Sequence, residues 1–149
     1  MLHYMPPEWY RHEATVLTWP HDASIWRGLH EQVETTFVEL ASRLSTMELV
    51  YINVPDAEWE ARVLRLLRRE GADMQSIRPL LIPSNDVWAR DHGPTVVFRH
   101  NNDGTGERVL RFPRPVTGID PFTGNRLAAD AREYASPGSD KEPRILRLV

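Results

Sequence analysis

The sequence is organised around residues 85–94, NDVWARDHGP, which lie between two short apolar runs. The run before them is PLLIP at 79–83, and the run after them is TVVF at 95–98. Apolar runs of this length, bounded by Asn-Asp and Gly-Pro pairs, are typical of strands joined by a turn. The sequence therefore predicts a polar connection held between two strands, a place where binding and catalytic residues are often found.

The charged residues of this connection allow two interpretations. Arg90 can pair with Asp86 or Asp91 in an ordinary surface loop, because structural ion pairs contain the same residue types as functional sites. Alternatively, the charged residues form a functional site on this connection. These ten residues alone do not decide between the two.

Upstream of this connection, strand and helix signals alternate. Residues 14–19, 48–54 and 76–82 predict three strands, and helices are expected between them, the second running from Pro55-Asp56 to Gly71. Residues 107–112 predict a further strand that forms a hairpin with residues 95–98. This order predicts an α/β fold, either a small open sheet or the start of a longer repeated structure.

The first helix carries an apolar stripe at steps of three and four residues, which predicts core packing. The stripe consists of Ile25, Trp26, Leu29, Val33, Phe37, Leu40 and Leu44. The opposite face is expected to be solvated, and it carries Arg27, Glu31, Glu34 and Glu39.

Composition argues against several classes of protein. The formal net charge is -3, and the basic residues form no concentrated patch, which argues against a nucleic-acid partner. No apolar run is long enough to cross a bilayer, and the first residues do not resemble a secretory signal, so a cytoplasmic protein is expected. His12, Glu13, His21 and Asp22 flank a strand at no recognised ligand spacing, so no metal site is expected.

Residues 113–149 differ from the rest of the chain. They hold five of the twelve prolines and little apolar periodicity. The composition predicts a boundary between an N-terminal part, residues 1–112, and an irregular or disordered tail. Within the tail, residues 125–134 can form one helical stretch. The abrupt change after Phe112 is typical of a truncated or frame-shifted product.

Four segments together resemble a known family. MPPEW at 5–9, HEAT at 12–15, LTWP at 17–20 and NDVWARDHGP at 85–94 are similar to the agmatine deiminases, which are related to the bacterial peptidyl-arginine deiminases. The resemblance covers residues 1 to about 98. It implies a partial pentein-type α/β propeller, of which this chain would form the first one or two of five blades.

The resemblance also implies a reaction. The family hydrolyses a guanidinium C–N bond: agmatine and water give N-carbamoylputrescine and ammonia, a step towards putrescine and the other polyamines. No metal or cofactor takes part; a cysteine attacks the guanidinium carbon, a histidine moves protons and carboxylates hold the substrate. Asp91 matches the family's guanidinium-binding aspartate, and Trp88 matches the tryptophan beside it.

The side-chain chemistry agrees with these assignments. A carboxylate accepts two parallel N–H bonds from a planar guanidinium, and a tryptophan face attracts the same cation. Asp86 and Arg90 are expected to support the site by pairing with each other. His92 is interpreted as structural. The expected partner is a small cationic guanidino substrate, and the full-length family is expected to include homo-oligomers.

The chain also departs from the family pattern. It contains no cysteine, and the family's downstream histidine motif has no counterpart, so no catalytic residue is expected in this chain. The main hypothesis is an agmatine deiminase fragment that is inactive alone. The alternative is a non-catalytic guanidine-binding or interaction module. An unrelated α/β domain is disfavoured by the paired motifs.

Overall fold

The computed structural model describes residues 2–5, 7, 9–89, 95–100, 106–116, 131–136 and 145–148. They form eight strands, a short 3-10 helix and two α-helices. The strands are β1 Leu2–Tyr4, β2 His12–Thr18, β3 Leu49–Val54, β4 Ile77–Leu81, β5 Thr95–His100, β6 Gly106–Val116, β7 Ala131–Ser136 and β8 Ile145–Leu148. The helices are α1 His30–Ser45 and α2 Ala57–Glu70, with the 3-10 helix at Ala23–Trp26.

The chain divides into two compact units. The first consists of Met1–His12 with Arg90–Leu146, and the second of Glu13–Ala89 with Arg147–Val149. The second unit contains the alternating strands and helices that the sequence predicts. Its sheet has the strand order β4-β3-β2-β8, and both β2–β3 and β3–β4 are parallel pairs. The predicted α/β class is therefore confirmed.

The core of the second unit lies between this sheet and the two helices. Parallel strands joined by helices run as nearly continuous apolar stretches, and the last five residues of β2 are all buried. The buried cluster consists of Leu17, Trp19, Val38, Ala41, Leu44, Val50, Ile52, Val54, Val63, Leu67 and Ile77. Burial of these side chains is the main favourable term for this unit.

The start of the first helix differs from the prediction. Arg27 and Gly28 adopt positive φ angles of 42° and 88°, so the 3-10 helix ends there and α1 begins only at His30. Because this break removes Ile25 and Leu29 from the register of α1, the predicted apolar stripe is not continuous. These two side chains are 42% and 54% exposed.

The prediction of a solvated Glu34 was wrong. This side chain is buried on the face of α1 that packs in the core, and two residues donate to its carboxylate. Trp19 Nε1 donates to Oε1 at 3.3 Å, and Arg62 donates from Nε to Oε1 at 3.0 Å and from Nη2 to Oε2 at 2.6 Å. A single carboxylate thus joins α1, α2 and the residue that follows β2.

The environment of Glu34 also sets its charge state. Burial raises the pKa of Glu34, but the hydrogen bonds from Arg62 and Trp19 and the charge of Arg62 lower it by more. The pKa therefore lies below its ordinary value of 4.5, and the carboxylate stays ionised at neutral pH. The bidentate geometry with Arg62 is the strong form of such a pair.

The bounds of the second helix agree with the prediction. The Asp56 side chain accepts a hydrogen bond from the Trp59 backbone N–H at 2.9 Å and so caps the N-terminus. Gly71 ends the helix in the left-handed conformation, with φ 84°. The acidic first turn and the basic last turn suit the helix dipole.

Strand β4 forms one edge of the parallel sheet. It contains Pro79, which has no N–H to offer a further strand, and proline is tolerated at edges for this reason. Arg78 Nη1 donates to the Gln75 and Ile77 carbonyls at 2.6 and 2.9 Å. Both features disfavour pairing of this edge with another chain.

The first unit contains an antiparallel sheet of order β1-β5-β6-β7. The predicted hairpin is present, with Val97 opposite Val109 in the β5–β6 register. Tyr4 on β1 stacks against His100 and lies 5.8 Å from Phe98 between ring centroids. These ring contacts fix β1 against β5 beside the backbone ladder.

Regular structure continues into the stretch for which the sequence predicts an irregular tail. Strand β6 extends to Val116, β7 pairs with it at Ala131–Ser136, and β8 lies beside β2. The helix expected over 125–134 differs from the structure where it overlaps β7; the rest of it lies outside the described residues. The open edge of β6 offers backbone partners that a short isolated helix lacks, and this outweighs local helix propensity.

Replacing Glu34 with Gln is expected to destabilise the protein by about 1–2 kcal/mol, because Arg62 loses a bidentate anionic partner. The lower part of the range for charged hydrogen bonds applies, since about half of the Arg62 side chain is exposed to solvent. Urea unfolding measures the change. Glu39→Gln, an exposed position on the same helix, is the matched control, and equal unfolding midpoints for the two variants would contradict the role of Glu34.

The same pair predicts a pH dependence. Because the folded pKa of Glu34 is lowered, its contribution is complete above the unfolded value and is lost as pH falls through the folded pKa. The stability difference between the unmodified chain and Glu34→Gln is therefore expected to shrink as pH falls below 4.5. Urea titrations from neutral pH downwards measure it, and a difference that stays constant would show that the carboxylate charge contributes nothing.

Removing the cap of α2 has its own expected cost. Asp56→Ala should destabilise the chain by about 0.5–2 kcal/mol, because the Trp59 N–H loses its acceptor. Asp56→Asn keeps a side-chain oxygen at the cap and is expected to be nearly neutral. Thermal melts of both variants measure the difference, and equal losses would assign the effect to charge instead of capping.

Candidate functional site

The parallel strands bring three connecting segments to one edge of the sheet. Strands β2, β3 and β4 run in the same direction, so the residues that follow Thr18, Val54 and Leu81 all leave from the carboxyl edge. Open parallel sheets bind their ligands at this edge. The segment after β4 leads into the NDVWARDHGP stretch, and this edge is therefore the candidate site.

The segment after β2 is held by its backbone. The Trp19 N–H donates to the Asn53 carbonyl at 3.0 Å, and the Trp19 side chain is fully buried. His21 Nδ1 lies 3.2 Å from the Trp19 carbonyl oxygen, and His30 Nε2 lies 2.6 Å from the Pro20 carbonyl oxygen. Each contact requires a proton on that ring nitrogen. These bonds fix the path of the chain directly after the strand.

Aromatic and cationic groups surround Trp59 in the first turn of α2. The His21 ring meets the Trp59 ring edge to face, with centroids 6.0 Å apart. The Arg62 guanidinium carbon lies 5.4 Å from the Trp59 ring centroid, which is the geometry of a cation–π contact. Because Glu34 also holds Arg62, the ion pair described above positions this aromatic group as well.

Asp22 begins the 3-10 helix that follows. Its Oδ1 accepts from the Ser24 N–H at 2.9 Å. The hydrogen bonds from Ser24 hold the pKa of Asp22 below its ordinary range. This carboxylate therefore acts as the N-terminal cap of the 3-10 helix.

The segment after β4 is tied to the sheet where it begins. The Ile82 N–H donates to the Val54 carbonyl at 2.9 Å. Asp86 Oδ1 accepts from the Val87 N–H at 2.7 Å, and the Ala89 N–H donates to the Val87 carbonyl at 2.8 Å. These short bonds fold residues 86–89 tightly.

Two side chains of this segment have opposite surroundings. Ala89 is only 1% exposed, whereas Trp88 is 61% exposed. The indole of Trp88 thus presents much of its surface to solvent, as a group that contacts a ligand would.

The predicted site residues have different outcomes. Trp88 and Asp86 lie on the tightly folded segment at the carboxyl edge. Arg90, Asp91 and His92 lie outside the described residues, and so does the predicted Asp86–Arg90 pair. The assignment of Asp91 as the guanidinium-binding residue stays a prediction.

Asn53, near the end of β3, is a polar residue of this edge that no sequence motif marks. Its Nδ2 donates to Thr18 Oγ1 at 3.1 Å. Its Oδ1 is buried and has no hydrogen-bond partner among the residues that the structure describes. The only signal in the sequence is an amide within an apolar strand, LVYINV.

Two features are absent from the described residues. No group of three or more His, Asp or Glu side chains there is placed to hold a metal ion. No helix among them has the length and apolar character that a membrane span requires.

The chain is similar to known deiminases in sequence. A model of the Porphyromonas-type peptidyl-arginine deiminase family matches residues 4–114. A protein of Selenomonas ruminantium named "Putative agmatine deiminase" is 37% identical over 105 residues, which cover 70% of this chain and 26% of that protein. A protein of the same name from Shewanella sp. is 36% identical over 104 residues. The chain thus spans about a quarter of the length of these relatives.

Solved structures agree with the sequence comparison. A structure described as a putative arginine deiminase from Porphyromonas gingivalis is 35% identical, with a TM-score of 0.55 over 70% of this chain and 29% of that one. An agmatine deiminase from C. jejuni has a TM-score of 0.56 at 21% identity over 72% of this chain and 30% of that one, a likeness of fold alone. Because the family model matches residues 4–114, which are most of this chain, the chain belongs to the Porphyromonas-type peptidyl-arginine deiminase family.

Proposed function

We propose that this chain is the N-terminal, substrate-holding part of an agmatine deiminase-type hydrolase, which acts on guanidinium C–N bonds. The observation that carries the proposal is the placement of the NDVW segment, with the exposed indole of Trp88, at the carboxyl edge of the parallel sheet. Sequence similarity to agmatine deiminases supports the same function. A variant of the C. jejuni agmatine deiminase has been solved with substrate bound, which supports a guanidino ligand for this fold.

The proposed binding step uses a carboxylate and an indole. Asp91 accepts two parallel N–H bonds from the guanidinium, and Trp88 covers a face of the cation. Charge-assisted bonds of this kind fix the carbon atom for attack by a nucleophile. Asp86 supports the segment through its bond from the Val87 N–H, and pairing of Arg90 with Asp86 would hold that positive charge away from the cation.

The nucleophile is proposed to lie outside this chain. The carbon of a guanidinium is a poor electrophile, and a thiolate is the nucleophile that the family resemblance implies. The chain has no cysteine. Binding and bond cleavage are therefore separable here, with N-carbamoylputrescine and ammonia as the products of the complete reaction.

This chain is proposed to form the first one or two blades of a pentein-type propeller. The unit β2–α1–β3–α2–β4 has strands and helices of the kind that such a blade needs, and its structural neighbours support this. Its sheet and helices share one buried core, so the substrate-holding segment is attached to a rigid support.

Asp91→Asn is expected to weaken agmatine binding by about 2–5 kcal/mol, or thirtyfold and more, because the cation loses its charged acceptor. Isothermal titration of the purified chain measures the dissociation constant. Asp73→Asn, which makes the same charge change before β4 at the opposite edge of the sheet, is the control and should bind normally. Unchanged binding by Asp91→Asn would show that another residue holds the guanidinium.

The chain as given is expected to release no ammonia from agmatine or arginine above background. Asp91 orients a guanidinium but breaks no bond. Ammonia assays with and without agmatine provide the measurement. Steady turnover that Asp91→Asn abolishes would contradict the separation of binding from cleavage and would require a nucleophile within this chain.

A further inference from the structure

The buried side-chain amide of Asn53 has one polar atom without a hydrogen-bond partner among the described residues. The side chain belongs to a residue that is only 7% exposed, and its Nδ2 is held by Thr18 Oγ1 at 3.1 Å. Thr18 is itself fully buried and lies directly opposite Asn53 in the β2–β3 register. The amide plane is therefore fixed by a neighbour on the adjacent strand, and Oδ1 is left without a partner in the described part of the chain.

An amide oxygen in this state is costly. Nearly all buried polar groups in folded proteins are hydrogen-bonded, because an unpaired one loses its water without compensation. Ser42 Oγ on α1 is also buried and unpaired within the described residues, but a helical serine hydroxyl rotates freely and has carbonyls of the preceding turn nearby. The side-chain oxygen of Asn53 can only accept a hydrogen bond, so a nearby backbone carbonyl cannot satisfy it.

Strand geometry places this oxygen on the face away from the helices. Val50, Ile52 and Val54 belong to the core that packs against α1 and α2. Side chains alternate along a strand, so Asn53 and its partner Thr18 lie on the opposite face. They are also at the carboxyl edge, one residue before β3 ends and beside Val54, whose carbonyl anchors the segment 82–89.

A lone buried water explains the oxygen poorly. Buried waters make two to four hydrogen bonds, so they need several polar groups in reach. The neighbours of Asn53 on this face include Val16, two residues before Thr18, and Leu80, which is opposite Asn53 on β4. Both are apolar. An incoming N–H group needs only the single acceptor that Asn53 offers.

We propose that Asn53 Oδ1 is a specificity-determining acceptor for an N–H group of the cationic guanidino substrate. This inference rests on the proposed function and adds, on β3, a second recognition element to the one proposed for Asp91. A neutral amide oxygen suits this role, because it selects for a donor by direction and leaves the charge of the cation to a carboxylate. A site built on a buried acceptor rejects analogues that lack the donor, since the acceptor is then left unpaired.

The test compares three ligands on the purified full chain by isothermal titration. Agmatine carries a guanidinium and an ammonium, 1-butylguanidine carries only the guanidinium, and putrescine carries only ammonium groups. Asn53→Leu removes the acceptor and is expected to raise the dissociation constant for agmatine at least tenfold. A matching loss for 1-butylguanidine assigns the contact to the guanidinium, and a loss for agmatine alone assigns it to the ammonium end.

Two further variants separate recognition from folding. Asn53→Asp keeps an acceptor at the same place and is expected to retain agmatine binding. Ser42→Ala removes another buried polar atom that is unpaired within the described residues, remote from the sheet edge, and should leave every affinity unchanged. A thermal melt establishes that each variant is folded, and Asn53→Ser replaces Asn53→Leu if the latter shows no cooperative transition.

The outcomes distinguish this inference from the function on which it rests. If the unmodified chain binds agmatine and folded Asn53→Leu or Asn53→Ser binds it equally well, the acceptor role is wrong and the proposed function stands. If Asn53→Asp loses binding as fully as Asn53→Leu although it is folded, an acceptor at this position does not hold the ligand and the acceptor role is also wrong. If the unmodified chain binds no agmatine, both proposals fail together.

Discussion

The parallel pairing of β2, β3 and β4 is the constraint on which the rest of the structure depends. Because the strands run in one direction, each connection must cross one face of the sheet, and α1 and α2 make those crossings. The same direction brings the ends of the three strands to one edge. The residues that follow Thr18, Val54 and Leu81 become neighbours, although Thr18 and Val54 are more than thirty positions apart in the sequence. The candidate site follows from topology before any side chain is considered.

The Glu34–Arg62 pair connects this topology to the site. A charge removed from water costs free energy unless it is well paired, and Glu34 receives three hydrogen bonds from two residues. One of them holds Trp19, the first residue after β2, and Arg62 in turn lies over the ring of Trp59. The pair is therefore as much a means of fixing side chains at the edge as a source of stability. Buried carboxylates that accept from several elements at once often serve to specify one packing arrangement.

Much of the fold of the second unit could be predicted from local signals. Proline and glycine bound the strands and α2, and the Asp56 cap and the Gly71 stop act where the sequence places them. Pro79 was compatible with a strand because β4 is an edge. Apart from the break before α1, the failures were non-local. The break at Arg27 and Gly28 depends on a left-handed backbone, and the burial of Glu34 depends on partners 15 and 28 residues away. Strand β7 formed where local propensity favoured a helix, because β6 offered an open edge.

The site was predictable to a lesser degree. Residues 85–94 stood out through their composition, and the roles of Trp88 and Asp91 are predictions that rest on the resemblance. Asn53 could not be found in this way, because an amide in an apolar strand acquires meaning only when its neighbours are known. Within the described residues, the oxygen of Asn53 is unpaired because of the sheet register: Thr18 accepts from the amide nitrogen, and Leu80, on the other neighbouring strand, has no polar side-chain atom.

On the proposed function, the carboxyl edge of the parallel sheet holds a guanidino ligand. Nuclear magnetic resonance titration of the 15N-labelled chain with agmatine tests this most directly. The indole N–H groups of the five tryptophans give separate signals, each of which reports on a different part of the chain. We expect saturable shifts of the Trp88 indole signal and of backbone amides directly after β2, β3 and β4. Amides around Asp73, at the opposite edge, should not move. Shifts confined to that edge or to the outer faces of α1 and α2, or the absence of saturable shifts, would contradict the claim.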